Sequence, residues 1–451
     1  MNSNYINRLQ AKNLSEMLRR PQLREVILVE GARQVGKTTL VEQVLASFKQ
    51  VTKINLEEDL FLCKRIDDSL SFDEFAMLLR DRYNFDPNLG NPILFIDEAQ
   101  ESEKLGAYVR FMKEKWASAR VVLSGSSMTR LFRDTQRIPV GRTVSVHITP
   151  FTFPEFLEAG GKKGVLQLID EFKETLNAAA FSPTIHKDLL DLLDLYLDIG
   201  GLPSVVMTFF HGENAKQLRS AILYSQENDF VRKTSIADRH LFRAGLKGIA
   251  NYIGFPSKNS HVHEKQHIAE NIISLETAWH LIYEIEQHGM NSSSRFYPKR
   301  YLYDIGIAQE VRDMPFPRLS LSSTKNPTLR TQLGGLFENI LLIQLVAHKM
   351  SPFQISGWKK DPKEQKEVDF VWRNDQHVIP IECKASAKVT KRSFNSLKNY
   401  LNLTDSHFGI LLSAAPFSIY QEDGLTFANL PLYLANGQAI ESLAAKYSHE
   451  C

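Results

Sequence analysis

REVILVEGARQVGKTTLVEQVLASF, residues 24–48, is the stretch whose reading decides the fold. It opens with a β-rich apolar run, Val26 to Val29, and ends with apolar residues at helical spacing, Leu40, Val41 and Val44. Between them Gly31, Ala32, Arg33, Gln34, Val35, Gly36, Lys37 and Thr38 satisfy the G-x-x-x-x-G-K-S/T pattern, and Thr39 follows. A strand entering and a helix leaving is the context in which that pattern binds phosphate. Glycines let backbone N–H groups turn toward the phosphates, and the helix N-terminus adds its positive end. Lys37 is expected to reach the β- and γ-phosphates of ATP, and the Thr38 hydroxyl to ligate Mg²⁺.

Outward from this loop the first 150 residues keep alternating strand and helix. VTKINLEE, PILFIDEAQ, ARVVLSGSS and TVSVHITPF are further short β-rich runs separated by polar or helical segments. Continuous apolar strands alternating with helices indicate a parallel sheet covered on both faces. ILFIDEAQ ends an apolar strand in Asp97 and Glu98. Asp97 suits Mg²⁺, directly or through water, and Glu98 is placed to polarise the attacking water. VVLSGSS ends in a second polar strand tip, where Ser124 is either a γ-phosphate sensor or part of an ordinary strand-ending turn.

The character changes after Pro150. Residues 151–294 read as mostly helical, with the segment 267–287 taken as one helical run, and strand signals return over 295–451. The expected organisation is an ATPase domain over 1–150, a helical lid over 151–294 and an α/β domain over 295–451. The chain has 451 residues, enough for two or three domains, and 43% hydrophobic with 24% charged residues is an ordinary globular composition. A net charge of +2 points to no partner class. Cys63, Cys383 and Cys451 lie far apart, which excludes a disulfide framework and fits a reducing cytoplasm. The polar start lacks a signal peptide's apolar stretch, and LFENILLIQLVAH reads as a buried helix, not a membrane span.

The order GARQVGKTT, ILFIDEAQ, VVLSGSS, VGR and ITPFTFPEF, followed by YLDIGGLPSVV, ENDFVRK, KRYLYDIGIA, GGLFENILLIQL and a late IECKA, resembles the AAA-type ATPases that carry a C-terminal domain of unknown function 4143. The resemblance spans nearly the whole chain. It implies Walker A and Walker B chemistry and a winged helix-turn-helix within about 240–290. It makes Arg142, in the matching GR, either an arginine finger acting across a homo-oligomeric contact or a structural arginine. Arg130, Arg133 and Arg137 compete for the same role. GGLP, residues 200–203, resembles the element near the nucleotide in related ATPases, its alternative being a plain helix-to-helix turn.

In the C-terminal region Asp369 in EVDFVW, then Glu382 and Lys384 in IPIECKAS, resemble the PD-(D/E)xK nuclease core. Alternate residues of one strand share a face, so Glu382 and Lys384 point together. Glu338, in the apolar helix, matches that core's helical glutamate. Such a set would hold a divalent metal that activates water, with Lys384 stabilising the developing charge. Lys384, Lys388, Lys391, Arg392 and Lys398 form an acid-free stretch able to face DNA phosphates. His261 and His263, with His267 beyond, read as a solvated loop ahead of a metal site. Two functions therefore compete: an ATPase driving a nucleic-acid-binding or nuclease-like domain, and an ATP-dependent switch controlling a protein partner.

Overall fold

The computed structural model describes residues 5–127, 131–132, 141–234, 238–289, 296–319, 326–348, 354–361, 366–373, 377–404 and 406–448. Arg130, Arg133 and Arg137 lie outside them. The chain folds as two compact units: Met1–Thr149 with Ala278–His280, and Pro150–Thr277 with Leu281–Cys451. The second unit thus contains both the helical segment and the later α/β segment.

Unit 1 is built on strands β1 (Val26–Glu30), β2 (Val51–Asn55), β3 (Ile93–Asp97), β4 (Arg120–Gly125) and β5 (Thr143–His147), in the order β2-β3-β4-β1-β5. Every neighbouring pair is parallel. β3 and β4 are buried along their whole length, which is why they read as unbroken apolar runs. Helices Leu60–Asp68 and Phe72–Tyr83 are capped by Asp59 and Ser71, whose side chains accept from Leu62 N and Glu74 N. They pack Leu62, Ile66, Phe75 and Leu79 into a core with Leu94, Ile96 and Leu123. The order matters for chemistry. β4 lies between the strand that feeds the phosphate loop and the strand that ends in Asp97, so Ser124 emerges between them.

Unit 2 begins with helices. Helix Phe153–Ala159 starts at a capping box of Thr152 and Glu155. Helices Pro183–Ile199 and Pro203–Phe210 are joined by the GGLP turn. Gly200 has φ +87, and a Cβ there would lie 2.7 Å from Asp304 Oδ1. Gly201 donates its N–H to Asp304 Oδ2 at 2.7 Å and accepts from Phe151 N at 2.6 Å. Three separated motifs, ITPF, GGLP and YLYDIGIA, therefore meet at one backbone junction, and GGLP is there a helix-to-helix turn.

Helix Arg239–Asn251, the short 3-10 turn Asn259–His261 and helix Gln266–Ala278 precede an antiparallel pair, β6 (Ile282–Ile285) and β8 (Lys299–Leu302). Helices followed by a two-stranded ribbon is the element order of a winged helix. The single helical run expected over 267–287 is corrected here: the helix ends at Ala278. The β-rich Leu281, Ile282, Tyr283 and Ile285 overrode the helical spacing. Within this region Glu276 is fully buried and neither carboxylate oxygen has a hydrogen-bond partner. A Cβ on Gly245 would sit 2.4 Å from its Oε1, so the glycine makes room for it.

The remainder is a mixed sheet of β7 (Gln287–His288), β9 (Ile355–Lys359), β10 (Glu367–Arg373), β11 (Val378–Cys383), β12 (Phe408–Ser413), β13 (Ser418–Glu422) and β14 (Leu425–Pro431), in the order β13-β14-β12-β11-β10-β9-β7. β9, β10 and β11 run antiparallel in turn, and helix Asn395–Leu401 carries the chain to β12, which lies parallel to β11. The helix Pro327–Ala347 buries Leu336, Phe337, Leu341 and Leu345 completely. Among the described residues no helix is long and apolar enough to cross a membrane.

Candidate functional site

The loop after β1 is set by glycine. Gly31 has φ +148, and a Cβ there would come within 2.3 Å of the Ile148 carbonyl oxygen. Gly36, left-handed at φ 87, turns the chain into helix Lys37–Leu45. Arg8 braces the loop from outside by donating to the Val35 carbonyl at 2.8 Å. The Lys37 ammonium folds back to donate to the carbonyls of Gly31 at 3.0 Å and Ala32 at 2.9 Å. Burial pulls its pKa down to about 8, against the pull of Glu98 and Asp97 toward the charged form.

Asp97 is the hub. The Thr38 hydroxyl donates to Asp97 Oδ2 at 2.6 Å. Asp97 Oδ1 accepts from the Ser124 hydroxyl and, at 3.0 Å, from Glu98 N. Glu98 holds a left-handed backbone, φ 50, which a non-glycine residue adopts at a cost typical of functional strain. That turn lifts its carboxylate off the strand direction, and the Gln100 amide donates to Glu98 Oε2. Lys37, Thr38, Asp97 and Ser124 thus converge at the C-terminal ends of adjacent parallel strands. A hydroxyl beside a carboxylate at a helix N-terminus is a donor set that fits Mg²⁺. Ala32, Arg33, Gln34, Val35 and Thr39 complete the loop and the first helical turn, with Arg33 Nη2 3.9 Å from Glu57.

Two residues that sequence reading passed over stand beside this loop. The His147 and His280 rings meet edge to face with centroids 5.0 Å apart. Burial first, then the Lys37 charge, pushes His280 down to about 4, and His147 is lowered well below its ordinary value by burial, His280 and Lys37. Both imidazoles are therefore neutral at physiological pH. His280 has φ +59, one more left-handed non-glycine position at this site.

Arg142 is not brought there. It precedes β5, and Thr143 pairs with Val26 at the opposite end of the strand that feeds the loop. Five residues of strand separate the two ends, roughly 16 Å. Its guanidinium lies 3.6 Å from Glu114, so in its own chain it is a sheet-edge arginine.

In unit 2, Glu338 and Asp369 do come together, but around a residue sequence reading missed. The Lys299 ammonium lies 3.0 Å from Glu338 Oε2 and 2.8 Å from Asp369 Oδ1. Tyr301 donates to Glu338 Oε2 at 2.7 Å, and Cys383 N donates to Asp369 Oδ2 at 2.8 Å. Glu382 sits beside them with Lys384 Nζ 3.5 Å from its Oε1, while Lys384 also donates to the Ser393 carbonyl at 2.6 Å. Burial and the neighbouring Asp369 push Glu338 and Glu382 up from the ordinary carboxylate range, with Lys299 and Lys384 pulling the other way. Burial alone would lower Lys299, yet Asp369 and Glu338 outweigh it and keep the ammonium charged. The residues do not fit a divalent metal: a cation already fills the space between the two carboxylates. Among the described residues no group of three or more His, Cys, Asp or Glu is arranged to hold a metal ion.

Within the basic stretch 384–398, Lys391 pairs with Glu422 at 3.3 Å and Lys398 with Asp423 at 2.7 Å. His261 and His263 accept from Lys258 N and Lys265 N in local turns, and His261 stacks on Tyr252 at 3.6 Å.

Comparison with known proteins matches both ends of the chain. Residues 23–157 match the family model described as AAA domain, and residues 333–433 that of the domain of unknown function DUF4143. An uncharacterized protein of Haemophilus influenzae is 23% identical over 420 residues, covering 88% of this chain and 91% of the relative. An uncharacterized protein of Methanocaldococcus jannaschii is 23% identical over 221 residues, 49% of this chain and 43% of that one. Among solved structures, a Walker-type ATPase of Pyrococcus abyssi is similar at 15% identity and a TM-score of 0.44, covering 69% of this chain and 97% of its own. The fold at the N-terminus is that of an AAA-type P-loop ATPase and supports ATP binding.

Proposed function

We propose that this chain is a Mg²⁺-dependent ATPase. The observation that carries the reading is the convergence of Lys37, Thr38 and Ser124 on and around Asp97, at the mouth of a loop whose glycines allow no side chain. In this reading the ATP phosphates replace the Gly31 and Ala32 carbonyls as partners of the Lys37 ammonium. Thr38 and Asp97 would hold Mg²⁺, which neutralises phosphate charge when bound. Glu98 orients a water and takes its proton. The water oxygen bonds to the γ-phosphorus, the bond to the β-bridging oxygen breaks, and ADP and inorganic phosphate leave. Ser124, fixed on Asp97, is placed to report the γ-phosphate to the rest of the strand edge.

Full-chain ATP turnover tests this. Lys37→Ala is expected to abolish most ATP affinity by calorimetry. Glu98→Gln is expected to bind ATP normally while turnover falls roughly 10²-fold or more. Wild-type turnover in Glu98→Gln would assign water activation to another residue.

For unit 2 the reading is a module that ATP turnover controls and that engages a protein partner in the cytoplasm, rather than a DNA-cutting domain. Lys299 between Glu338 and Asp369, and the pairing of Lys391 and Lys398 with acids, support it over the nuclease resemblance. Turnover measured with duplex, single-stranded and branched DNA separates the two. Stimulation by DNA, or nicking of plasmid lost on Asp369→Ala, would restore the nucleic-acid reading. Arg142 keeps a role only across a homo-oligomeric contact, where Arg142→Ala would lower turnover in a concentration-dependent way.

A further inference from the structure

We infer that Lys299 is the resident cation of the unit 2 carboxylate cluster, standing where a divalent ion would have to bridge Glu338 and Asp369. The side chain is 1% exposed and those of Glu338 and Asp369 are 7% and 8% exposed, so this is an interior ion cluster. The Asp369 contact, at 2.8 Å, is at charge-assisted hydrogen-bond length. Tyr301 supplies a second donor to Glu338 Oε2, and Cys383 N holds Asp369 Oδ2.

The ammonium is held there by backbone on both sides. Lys299 pairs with Ile285 across the antiparallel ribbon and forms a bridge with Pro256, while Ser257 N donates to the Pro298 carbonyl at 2.7 Å. A Cβ at Gly254, φ +85, would come 2.5 Å from Gly335 Cα and 3.2 Å from Glu338 Oε1, so the chain closes over the glutamate from the side away from Lys299. A bridging divalent ion needs oxygens at about 2.0–2.6 Å, shorter than any ammonium contact. It would have to displace the Lys299 ammonium from Glu338 and Asp369, leaving Glu367, 4.0 Å away, as its nearest other acid, and a displaced buried charge is disfavoured. Glu382 Oε2, buried and without a hydrogen-bond partner beside Asp369, marks donor capacity that the lysine leaves unused. Removing the ammonium would turn the same carboxylates into a metal site.

The test uses full-length protein without nucleotide, so that no phosphates recruit metal at the other unit. Mn²⁺ is titrated at neutral pH and the free ion is followed by electron paramagnetic resonance. Wild type and Asp369→Asn are expected to bind Mn²⁺ alike, because no ion sits on Asp369. Lys299→Met keeps most of the stem's volume and deletes the charge. It is expected to gain an Mn²⁺ site at least tenfold tighter than anything in wild type. Adding Asp369→Asn should remove that gain. Two results would overturn the assignment: wild-type Mn²⁺ binding that Asp369→Asn abolishes, or a folded Lys299→Met with wild-type Mn²⁺ affinity. If Lys299→Met does not fold, the wild-type and Asp369→Asn titrations still decide.

Discussion

ATP affinity should fall as pH rises through about 8, because the loop lysine must be charged to meet the phosphates and burial has brought its pKa of 10.5 down to about 8. The cause is geometric. Lys37 is interior, it donates to the neutral carbonyls of Gly31 and Ala32, and Glu98 and Asp97 offset the desolvation only in part. Bound phosphate supplies the missing negative charge and restores the ordinary preference for the ammonium. The sign follows: the free protein loses the binding-competent form as pH rises, while the complex keeps it. Affinity is full well below the free-state pKa and falls tenfold for each further unit above it.

With one coupled proton, the fraction of competent lysine is about 0.9 at pH 7, about 0.5 at pH 8 and about 0.1 at pH 9. The dissociation constant should therefore rise roughly tenfold between pH 7 and pH 9, about 1.4 kcal/mol. The last ionisation of the phosphate, near pH 6, lies below this window. Calorimetry in two buffers of different ionisation enthalpy measures the proton directly, with uptake of about half a proton per ATP at pH 8. Lys37→Arg should bind weakly and with no pH dependence over the same range, since a guanidinium stays charged. Flat wild-type affinity from pH 7 to pH 9 with no proton uptake would refute the reasoning, because it would mean that the buried ammonium is fully compensated before ATP arrives.

Two further outcomes are expected. Gly31→Ala should cut nucleotide affinity at least tenfold by calorimetry while unit 2 stays folded, since the added Cβ meets the Ile148 carbonyl at 2.3 Å and φ +148 suits no side chain. Glu276→Met should raise stability in chemical denaturation by about 2 kcal/mol at pH 8 and by much less at pH 5, because burial lifts the Glu276 pKa far above 4.5. The folded state keeps a proton that the unfolded chain releases as pH rises, so the wild type loses stability upward from that point; an equal gain at both pH values would exclude ionisation as the cause.

The phosphate-loop geometry was legible because its pattern is local. Gly31 to Thr39 are contiguous, and a backbone that must turn without side chains announces itself as glycine. Asp97 and Glu98 were readable as the polar end of a fully buried strand, and Ser124 as the tip of the next. The parallel sheet was readable for the same reason, since strands covered on both faces cannot hide their apolar runs. What the sequence did not state were contacts between residues distant along the chain. The 384–398 stretch looked acid-free because Glu422 and Asp423 lie on a later hairpin. That hairpin had its own signal, Asp423-Gly424, with both residues at positive φ. Arg142 matched a motif, but the motif says nothing of which end of β5 it occupies. His280 was absorbed into a helical spacing that the chain abandons at Ala278.

The C-terminal cluster shows why a pattern of carboxylates underdetermines chemistry. Glu338, Asp369, Glu382 and Lys384 were chosen because alternate strand positions and one helix would bring them together, and Lys384 does reach Glu382. Convergence of acids creates a demand for positive charge, and the sequence of the acids does not state what meets it. Here the supply is Lys299, 39 residues before Glu338 and 70 before Asp369 along the chain. In KRYLYD it reads as a solvated lysine opening a strand, and only the antiparallel pairing with β6 turns it inward. The same four acid and base positions around an open cleft would attract a metal; around a buried ammonium they form an ion pair with its own counter-charge. The electrostatic balance of the interior, rather than the presence of the motif residues, decides between a hydrolytic site and a structural one.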